Sequence, residues 1–312
     1  MRLKEERCSR GQSARALLRS SELSAGNGRR YGRQSSIDAP SVPRLAHQSG
    51  AAVTGTVLAL AHDTFGDAGP PVLILHGLLG SARNWTGIAK ELAAGHRVFA
   101  LDLRNHGRSP WAATMSFEEM AGDVAAFIGR NGLGAVGLIG HSLGGKVAMR
   151  LALTQPALIE RLVVVDVAPV AYAHTFGPFI EAMRQVDLAT VQRRSDAGLQ
   201  LEAMIGDAVL RNFLLQNLVK TDAGFVWRVD LEALAGNMNE LLGFPTPGAD
   251  AAYGGPALFI AGSRSHYIQP QHRPLLERLF PNAEHVMIAG AGHWPHAERP
   301  AEFLAHVRRF LS

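Results

Sequence analysis

The stretch Gly140-His141-Ser142-Leu143-Gly144 lies between an apolar run at 135–139 and a helix-like segment at 145–153. It has the form G-x-S-x-G in the order strand, sharp turn, helix. Small residues allow a strained turn that lifts the serine hydroxyl clear of the sheet. The same turn directs the backbone N–H of Leu143 towards the place where an oxyanion would form. We therefore interpret Ser142 as a catalytic nucleophile.

The composition describes a globular protein of ordinary polarity. Of the 312 residues, 47% are hydrophobic and 19% are charged, which excludes an intrinsically disordered chain. No run of apolar residues approaches the length of about 18 that a membrane span needs. The single cysteine, Cys8, excludes an intramolecular disulfide framework, so a reducing compartment is sufficient.

The positive charge is concentrated at the N-terminus. Residues 1–45 carry a net charge of +6, whereas the whole chain carries +4. The remainder has no basic stripe, so we expect no nucleic-acid partner. We expect residues 1–50 to be a basic, disordered extension or the product of an upstream start codon, in a cytoplasmic protein. An Arg/Ser-rich leader is also typical of a transit peptide, in which case the protein would lie in the mitochondrial matrix.

Strand and helix patterns alternate through the rest of the chain, which predicts an α/β fold with a mostly parallel central sheet flanked by helices. The predicted strands are 56–61, 72–75, 97–101, 135–139, 162–165, 257–261 and 285–289. Residues 170–255 interrupt the alternation with helical segments at 178–186, 207–219 and 231–242. We expect one domain, 51–312, with a helical cap at about 170–255 inserted after the sixth strand.

A serine hydroxyl needs an adjacent base that a third group orients. His293 follows the last predicted strand in a glycine-rich loop, which would bring the imidazole over Ser142. The loop 262–267, where such folds commonly carry the acid, contains no carboxylate. Asp166 ends an earlier strand and is our candidate for the acid, with Asp222 and Asp230 as distant rivals.

The loop after strand 72–75 is expected to supply the second oxyanion donor, the Leu78 N–H. The candidate pocket residues are His76, Gly77, Leu79, Trp85, His141, Phe176, Tyr267 and Trp294. The polar loop 102–109 is expected to be structural, and Lys146 to make a loop or surface contact. His296 forms an H-x-x-H pair with His293 without a third ligand at sensible spacing, so we expect no metal and no cofactor.

Taken together, these residues resemble the α/β-hydrolase superfamily in the order Ser–Asp–His, and more narrowly the small bacterial esterases of the YbfF type and their mitochondrial relatives. The resemblance runs from Thr56 to Leu311. Its specific motifs are His76-Gly77-Leu78-Leu79-Gly80-Ser81, Arg104-Asn105-His106-Gly107-Arg108-Ser109-Pro110, Gly140-His141-Ser142-Leu143-Gly144-Gly145-Lys146, Asp166-Val167-Ala168-Pro169 and Gly290-Ala291-Gly292-His293-Trp294. In that subgroup the acid follows the earlier strand, where Asp166 falls here.

The resemblance implies hydrolysis of a small-molecule acyl ester or thioester without metal or cofactor. One alternative is a hydrolase or lyase that cleaves a C–C bond in a small keto-acid, with Arg83 or Arg104 holding the substrate carboxylate. A second is a non-catalytic binding module on the hydrolase scaffold. The sequence leaves the acyl chain, the leaving group and the oligomeric state open.

Overall fold

The computed structural model describes residues 56–173 and 176–312. The strands of these residues are β1 (His62–Phe65), β2 (Pro71–Leu75), β3 (Arg97–Leu101), β4 (Val136–His141), β5 (Ile159–Val165), β6 (Leu218–Thr221), β7 (Gly224–Trp227), β8 (Ala257–Gly262) and β9 (Ala283–Ile288). Seven of them form one sheet in the order β1-β3-β2-β4-β5-β8-β9. β1 is antiparallel to β3, and the other pairings of this sheet are parallel.

Helices cover both faces of this sheet. The helices of the described residues are α1 (Thr86–Leu92), α2 (Phe117–Arg130), α3 (Leu143–Thr154), α4 (Gly177–Arg184), α5 (Arg194–Glu202), α6 (Ala208–Leu215), α7 (Leu231–Gly236), α8 (Met238–Leu242), α9 (Arg273–Leu279), α10 (Pro295–Glu298) and α11 (Pro300–Leu311). Short 3-10 turns occur at Ala82–Trp85, Pro156–Leu158, Leu188–Thr190 and Pro270–His272.

The side chains of β2 show how the two layers of helices are held. Leu73 and Leu75 pack into the core cluster that contains α2 and α3, whereas Val72 and Ile74 pack into the cluster that contains α1 and α11. Successive residues of a strand point to opposite faces, so a strand covered on both sides is apolar throughout. The predicted mostly parallel sheet with helices on both faces is confirmed.

The insert, which we define as the chain between β5 and β8, leaves the sheet order unchanged because β5 and β8 are hydrogen-bonded neighbours. It contains α4 to α8 and, against the all-helical prediction, the hairpin of β6 and β7. The helix predicted at 207–219 is therefore too long, since α6 ends at Leu215. A strand of four residues has too few alternating positions for its hydrophobic pattern to be distinguished from that of a helix. Five strands precede the insert in the described residues, not the six expected.

The first strand was also predicted at the wrong place. The N–H groups of segment 56–61 reach side chains instead of a neighbouring strand: Leu58 donates to Asp123 at 2.7 Å and Ala61 to Ser109 at 2.9 Å. The segment is therefore extended chain that precedes β1. Of its apolar residues Leu60 is buried in the core, whereas Val57 is exposed.

The extension predicted for residues 1–50 lies outside the described residues. Within 56–173 and 176–312, none of the helices combines the length and the apolar character needed to cross a bilayer. In the same ranges, no group of three or more His, Cys, Asp or Glu side chains is placed to hold a metal ion.

Candidate active site

Ser142 occupies the turn between β4 and α3, where its backbone has φ 52° and ψ −116°. A residue with a side chain rarely adopts a positive φ, so neighbouring contacts must hold this turn. The motif glycines permit it: a Cβ on Gly140 would lie 2.3 Å from the Gly144 carbonyl oxygen, and one on Gly144 would lie 2.5 Å from that of Leu75. The Ser142 N–H donates to the Val165 carbonyl at 3.0 Å. The serine is thereby fixed at the carboxyl edge of the sheet.

Asp166 follows β5 and His293 follows β9, and their side chains meet at the same edge. The Asp166 Oδ2 atom lies 2.7 Å from His293 Nδ1. Because a carboxylate can only accept, Nδ1 carries the proton and Nε2 is left as an acceptor. Asp166 is fully buried, and its Oδ1 accepts from the Gly262 N–H at 3.1 Å. The imidazole is held in the tautomer that a general base requires.

A third side chain binds this carboxylate. Ser265 Oγ donates to Asp166 Oδ2 at 2.5 Å, so one carboxylate oxygen accepts from both Ser265 and His293. The sequence shows that the loop 262–267 lacks an acid, but gives no sign that its serine reaches the acid of another strand. The loop 262–267 therefore contributes a hydrogen bond to Asp166 although it contains no carboxylate of its own.

Aromatic and histidine side chains enclose the His293 ring. The Tyr267 ring stacks on it with centroids 3.9 Å apart and planes at 16°. His141 donates from Nε2 to the His293 carbonyl at 2.8 Å. Burial, followed by the charges of His293 and His296, holds the pKa of His141 well below its usual value, so this ring stays neutral.

In the described residues Ser142 Oγ has no hydrogen bond to His293. Such contacts between nucleophile and base are often long in a free enzyme and shorten when substrate binds.

Two residues beside Ser142 have backbone N–H groups without an acceptor among the described contacts. They are Leu78 and Leu143, which both line the cavity next to this serine. Within 56–173 and 176–312, neither of their N–H groups has a hydrogen-bond acceptor. Buried backbone donors are rarely left unpaired, so two such donors beside Ser142 are suited to an incoming oxyanion.

Two buried histidines brace the loop that carries Leu78. His106 Nε2 accepts from the Leu79 N–H at 3.1 Å, and His76 Nε2 accepts from the Leu103 N–H at 3.0 Å. Each donates from Nδ1 to a nearby backbone carbonyl. Burial lowers the pKa of both rings, that of His106 to about 3, so both are neutral acceptors. The loop 102–109 therefore affects the site indirectly, because it holds the conformation of the loop that carries Leu78.

The cavity beside Ser142 is small, with a volume of about 30 Å³, and it is partly open to solvent. Its lining consists of Leu78, Ser142, Leu143, Lys146, Val167, Tyr172, Phe176, Met238, Leu241, Leu242 and Tyr267. The insert supplies the wall opposite the nucleophile, through α8 and Phe176. An apolar chamber of this kind suits the hydrocarbon part of a small molecule.

Comparison with known proteins agrees with this geometry. Residues 70–300 match the model of the alpha/beta hydrolase fold family. The chain belongs to this family. The sn-1-specific diacylglycerol lipase ABHD11 of Danio rerio is 40% identical over 268 residues, 83% of this chain and 84% of that protein. The esterase YbfF of Escherichia coli (strain K12) is 33% identical over 243 residues, 78% of this chain and 93% of that protein. A solved marine microorganism esterase has a TM-score of 0.79 at 38% identity, covering 81% of this chain and 99% of its own. The predicted resemblance is confirmed.

Only two of the eight candidate pocket residues, Phe176 and Tyr267, line the cavity of this α/β hydrolase. The prediction for Trp85 is wrong: its ring is 1% exposed and stacks on His296 at 4.1 Å, within the core beneath the sheet. Trp294 lies beside Phe213, with ring centroids 6.3 Å apart.

The other four candidates support the site from outside its lining. His76 and Leu79 are buried in the braced loop. Gly77 lies where a Cβ would come within 2.8 Å of His141 Nδ1, so these two residues pack behind Ser142.

Of the two contacts expected for Lys146, the surface contact is wrong, whereas Nζ does reach the chain that follows α8, at the Gly243 carbonyl. The residue is 3% exposed and lines the cavity. A sequence signal was available, since residues four apart on a helix share a face and Lys146 is four residues after Ser142. The lining residues of α8 had no such signal, because their position depends on how the insert packs.

Proposed function

We propose that this α/β hydrolase cleaves carboxylic esters or thioesters through an acyl-enzyme. In this proposal Ser142 is the nucleophile, His293 the general base and Asp166 the acid that orients the base. The observation that carries it is the 2.7 Å bond between Asp166 and His293 at the sheet edge where the strained turn presents Ser142. The names of the relatives, a lipase and two esterases, support the same reaction class.

The chemistry follows from these positions. Ser142 Oγ forms a bond to the acyl carbon while its proton moves to His293 Nε2 and an electron pair moves onto the carbonyl oxygen. Asp166 stabilises the imidazolium without taking its proton. The C–O or C–S bond then breaks, and the leaving group takes the proton from His293. Water repeats the attack, releases the carboxylic acid and restores Ser142.

The Leu78 and Leu143 N–H groups form the oxyanion hole in this proposal. A preorganised donor stabilises the tetrahedral intermediate more than the substrate, and removal of one such donor in other enzymes costs ~10²–10³ in rate. The braces from His76 and His106 hold the Leu78 side of the hole in place.

The cavity supports an apolar acyl group as the part of the substrate that enters it. Lining side chains other than Ser142, Lys146 and the two tyrosines are apolar. One relative is named for a diacylglycerol, and we infer that glycerol esters belong to the range of alcohols to be tested. The insert, at about 170–255 of the domain 51–312, serves as the cap of this chamber.

The C–C bond alternative needs a free cation to bind a substrate carboxylate. Arg104 is not free, because its guanidinium binds Asp123 at 2.7 Å and Glu119 at 3.2 Å and is 1% exposed. Arg83 is exposed on the turn Ala82–Trp85 and does not line the cavity. Lys146 does line the cavity, but its ammonium already donates to the Leu242 and Gly243 carbonyls. Ester hydrolysis is therefore the better supported reaction.

For the compartment, we propose the cytoplasm, since a chain with one cysteine has no need of an oxidising environment. The mitochondrial matrix is the alternative. Imaging of the full chain with a C-terminal fluorescent tag, beside a chain that begins after residue 50, separates the two.

The test of the reaction class uses purified full-length protein, a fluorophosphonate probe and p-nitrophenyl butyrate. We expect labelling and ester cleavage in the wild type, loss of both in Ser142→Ala, and no loss in Ser195→Ala, which changes an exposed serine of α5. A folded wild type without labelling would support the binding-module alternative. Labelling that persists in Ser142→Ala would place the nucleophile elsewhere.

A further inference from the structure

Lys146 lies on the first turn of α3, beside the serine. Its backbone N–H donates to the Ser142 carbonyl at 3.0 Å, so both residues belong to one helical face. The side chain is 3% exposed and contributes to the cavity wall next to Ser142. The proposed reaction gives this ammonium no step, although it lies at the site.

The ammonium binds only uncharged partners. Its Nζ donates to the Leu242 carbonyl at 2.8 Å and to the Gly243 carbonyl at 2.5 Å. It also lies 4.8 Å from the centre of the Tyr172 ring and 5.8 Å from that of Phe117. In the part of the chain that the structure describes, no carboxylate lies within 4.0 Å of it. Burial lowers the pKa of Lys146 to about 7.

Both carbonyls lie at the end of α8. Leu242 is the last residue of that helix and Gly243 follows it. The last carbonyls of a helix have no partner within the helix, and a lysine can satisfy them. The Tyr172 N–H shares the Leu242 carbonyl at 3.0 Å, while Lys146 is the hydrogen-bond donor to the Gly243 carbonyl among the described contacts.

The start of α8 is held independently. Asn237, which precedes it, accepts from the Met115 N–H at 3.2 Å and donates to the Ala113 carbonyl at 2.9 Å. Between these two ends, Met238, Leu241 and Leu242 line the cavity. α8 thus forms a wall of the cavity that is fixed to the loop 113–115 at one end and to α3, the helix that follows Ser142, at the other.

We propose that Lys146 is a positioning residue that sets acyl selectivity: its ammonium holds the end of α8 against the nucleophile helix and so fixes the wall of the acyl cavity. This inference rests on the proposed function for its readout. Without the ammonium, the start of α8 stays attached at Asn237, and its end keeps the Tyr172 N–H on the Leu242 carbonyl but loses the donor to Gly243. We expect this end to shift away from Ser142, which admits longer acyl chains.

Lys146→Met separates positioning from simple stabilisation. Methionine fills a similar volume without the charge. Relief from burying an ammonium favours the variant, whereas loss of the donor to the Gly243 carbonyl disfavours it, so the two effects oppose each other. We therefore expect the melting temperature of Lys146→Met to stay close to that of the wild type, while selectivity between acyl chains falls. If Lys146 only stabilised the fold, the melting temperature would fall and the selectivity between acyl chains would stay unchanged.

The experiment measures kcat and KM for p-nitrophenyl acetate, butyrate and octanoate. We expect the octanoate-to-acetate ratio of kcat/KM to rise about tenfold in Lys146→Met, mainly through KM. The exposed lysines Lys90 and Lys220 provide matched controls, whose change to Met leaves the ratio at the wild-type value. A ratio within about twofold of the wild type in folded Lys146→Met overturns the proposal.

A second measurement needs no variant and no ester cleavage. Trace acetylation of wild-type amines at neutral pH, read by peptide mass spectrometry, reports how well each lysine is held. The lowered pKa of Lys146 by itself would make its amine react faster than those of Lys90 and Lys220 at neutral pH. We expect Lys146 to react more slowly because it is held against α8, and an equal or faster rate would refute that contact. Fluorophosphonate labelling of the same samples tests the proposed hydrolase activity separately from the contact between Lys146 and α8.

Discussion

Ser265 and His293 donate to the same oxygen of Asp166, at 2.5 Å and 2.7 Å. The other carboxylate oxygen accepts from Gly262. Three donors from two later strand ends therefore fix the orientation of one buried carboxylate. The orientation of His293 depends on all three donors, because rotation of the Asp166 carboxylate would also move the oxygen that binds the His293 ring.

Removal of the Ser265 hydroxyl is expected to lower activity without removing any group that touches substrate. Ser265→Ala leaves Asp166 with one fewer charge-assisted hydrogen bond, and such bonds are worth about 1.5–3 kcal/mol. We expect kcat for p-nitrophenyl butyrate to fall about tenfold, with KM little changed. Ser265→Thr keeps a hydroxyl and should recover most of the rate. Equal rates in Ser265→Ala and wild type would show that the bond does not matter.

Asp166→Asn is expected to be much more severe. The amide still occupies the space, but its NH₂ group can face His293 only if Nδ1 gives up its proton, which places the proton on the wrong nitrogen. In a Ser-His-Asp protease of an unrelated fold this change lowers kcat by about 10⁴, and we expect a loss of about 10³–10⁴ here.

Asp222→Asn, at the exposed turn between β6 and β7, is the matched control, and circular dichroism checks the fold. Full activity in Asp166→Asn would move the acid to another residue. Asp230, the other rival, caps α7 through the Glu232 and Ala233 N–H groups and is not placed for that role.

The parts of the site that the sequence predicts are those with local signals. The turn at Ser142 is marked by glycines that cannot carry a Cβ, and His293 by a glycine-rich loop after the last strand. Asp166 ends a buried strand, and parallel strands bring their carboxyl ends to one edge. Each of these inferences needs only the order of strands along the chain.

What the sequence does not predict depends on packing between distant segments. The hairpin of β6 and β7 has strands too short to give a clear pattern. Lys146 looks like a surface lysine until α8, almost a hundred residues later, lies over it. Trp85 looks like a pocket aromatic because it follows the Leu78 loop, yet the 3-10 turn carries its ring under the sheet to His296.

His106 is expected to act on the reaction through the Leu79 N–H. His106→Ala leaves that buried donor without an acceptor, which costs about 1–3 kcal/mol of unfolding free energy. The Leu78 N–H next to it should also shift, so we expect kcat to fall by about 10–100-fold, with less change in KM. His106→Gln offers an acceptor oxygen in a similar place and should restore part of both quantities. Urea unfolding and ester kinetics measure them. Loss of stability with an unchanged kcat would separate the brace from the oxyanion hole.

His296 is expected to make the fold sensitive to acid. Its ring stacks on Trp85, and in the described residues its Nδ1 has no hydrogen-bond partner. Burial, followed by the charge of His293, lowers the pKa of His296 to about 3. The unfolded chain takes up this proton near pH 6.5 and the folded chain does not, so stability is fully present above about pH 6.5 and is lost as the pH falls towards about 3.

His296→Phe removes that titration and keeps an aromatic ring against Trp85. We expect the variant to gain about 2 kcal/mol over the wild type between pH 7.5 and pH 5.0, since each such group costs about 1.4 kcal/mol per pH unit below 6.5. Urea unfolding at both pH values gives the difference, and any packing change contributes equally at each. His306→Phe, on a partly exposed position of α11, is the control. The same difference between variant and wild type at both pH values would mean that His296 takes up its proton while folded.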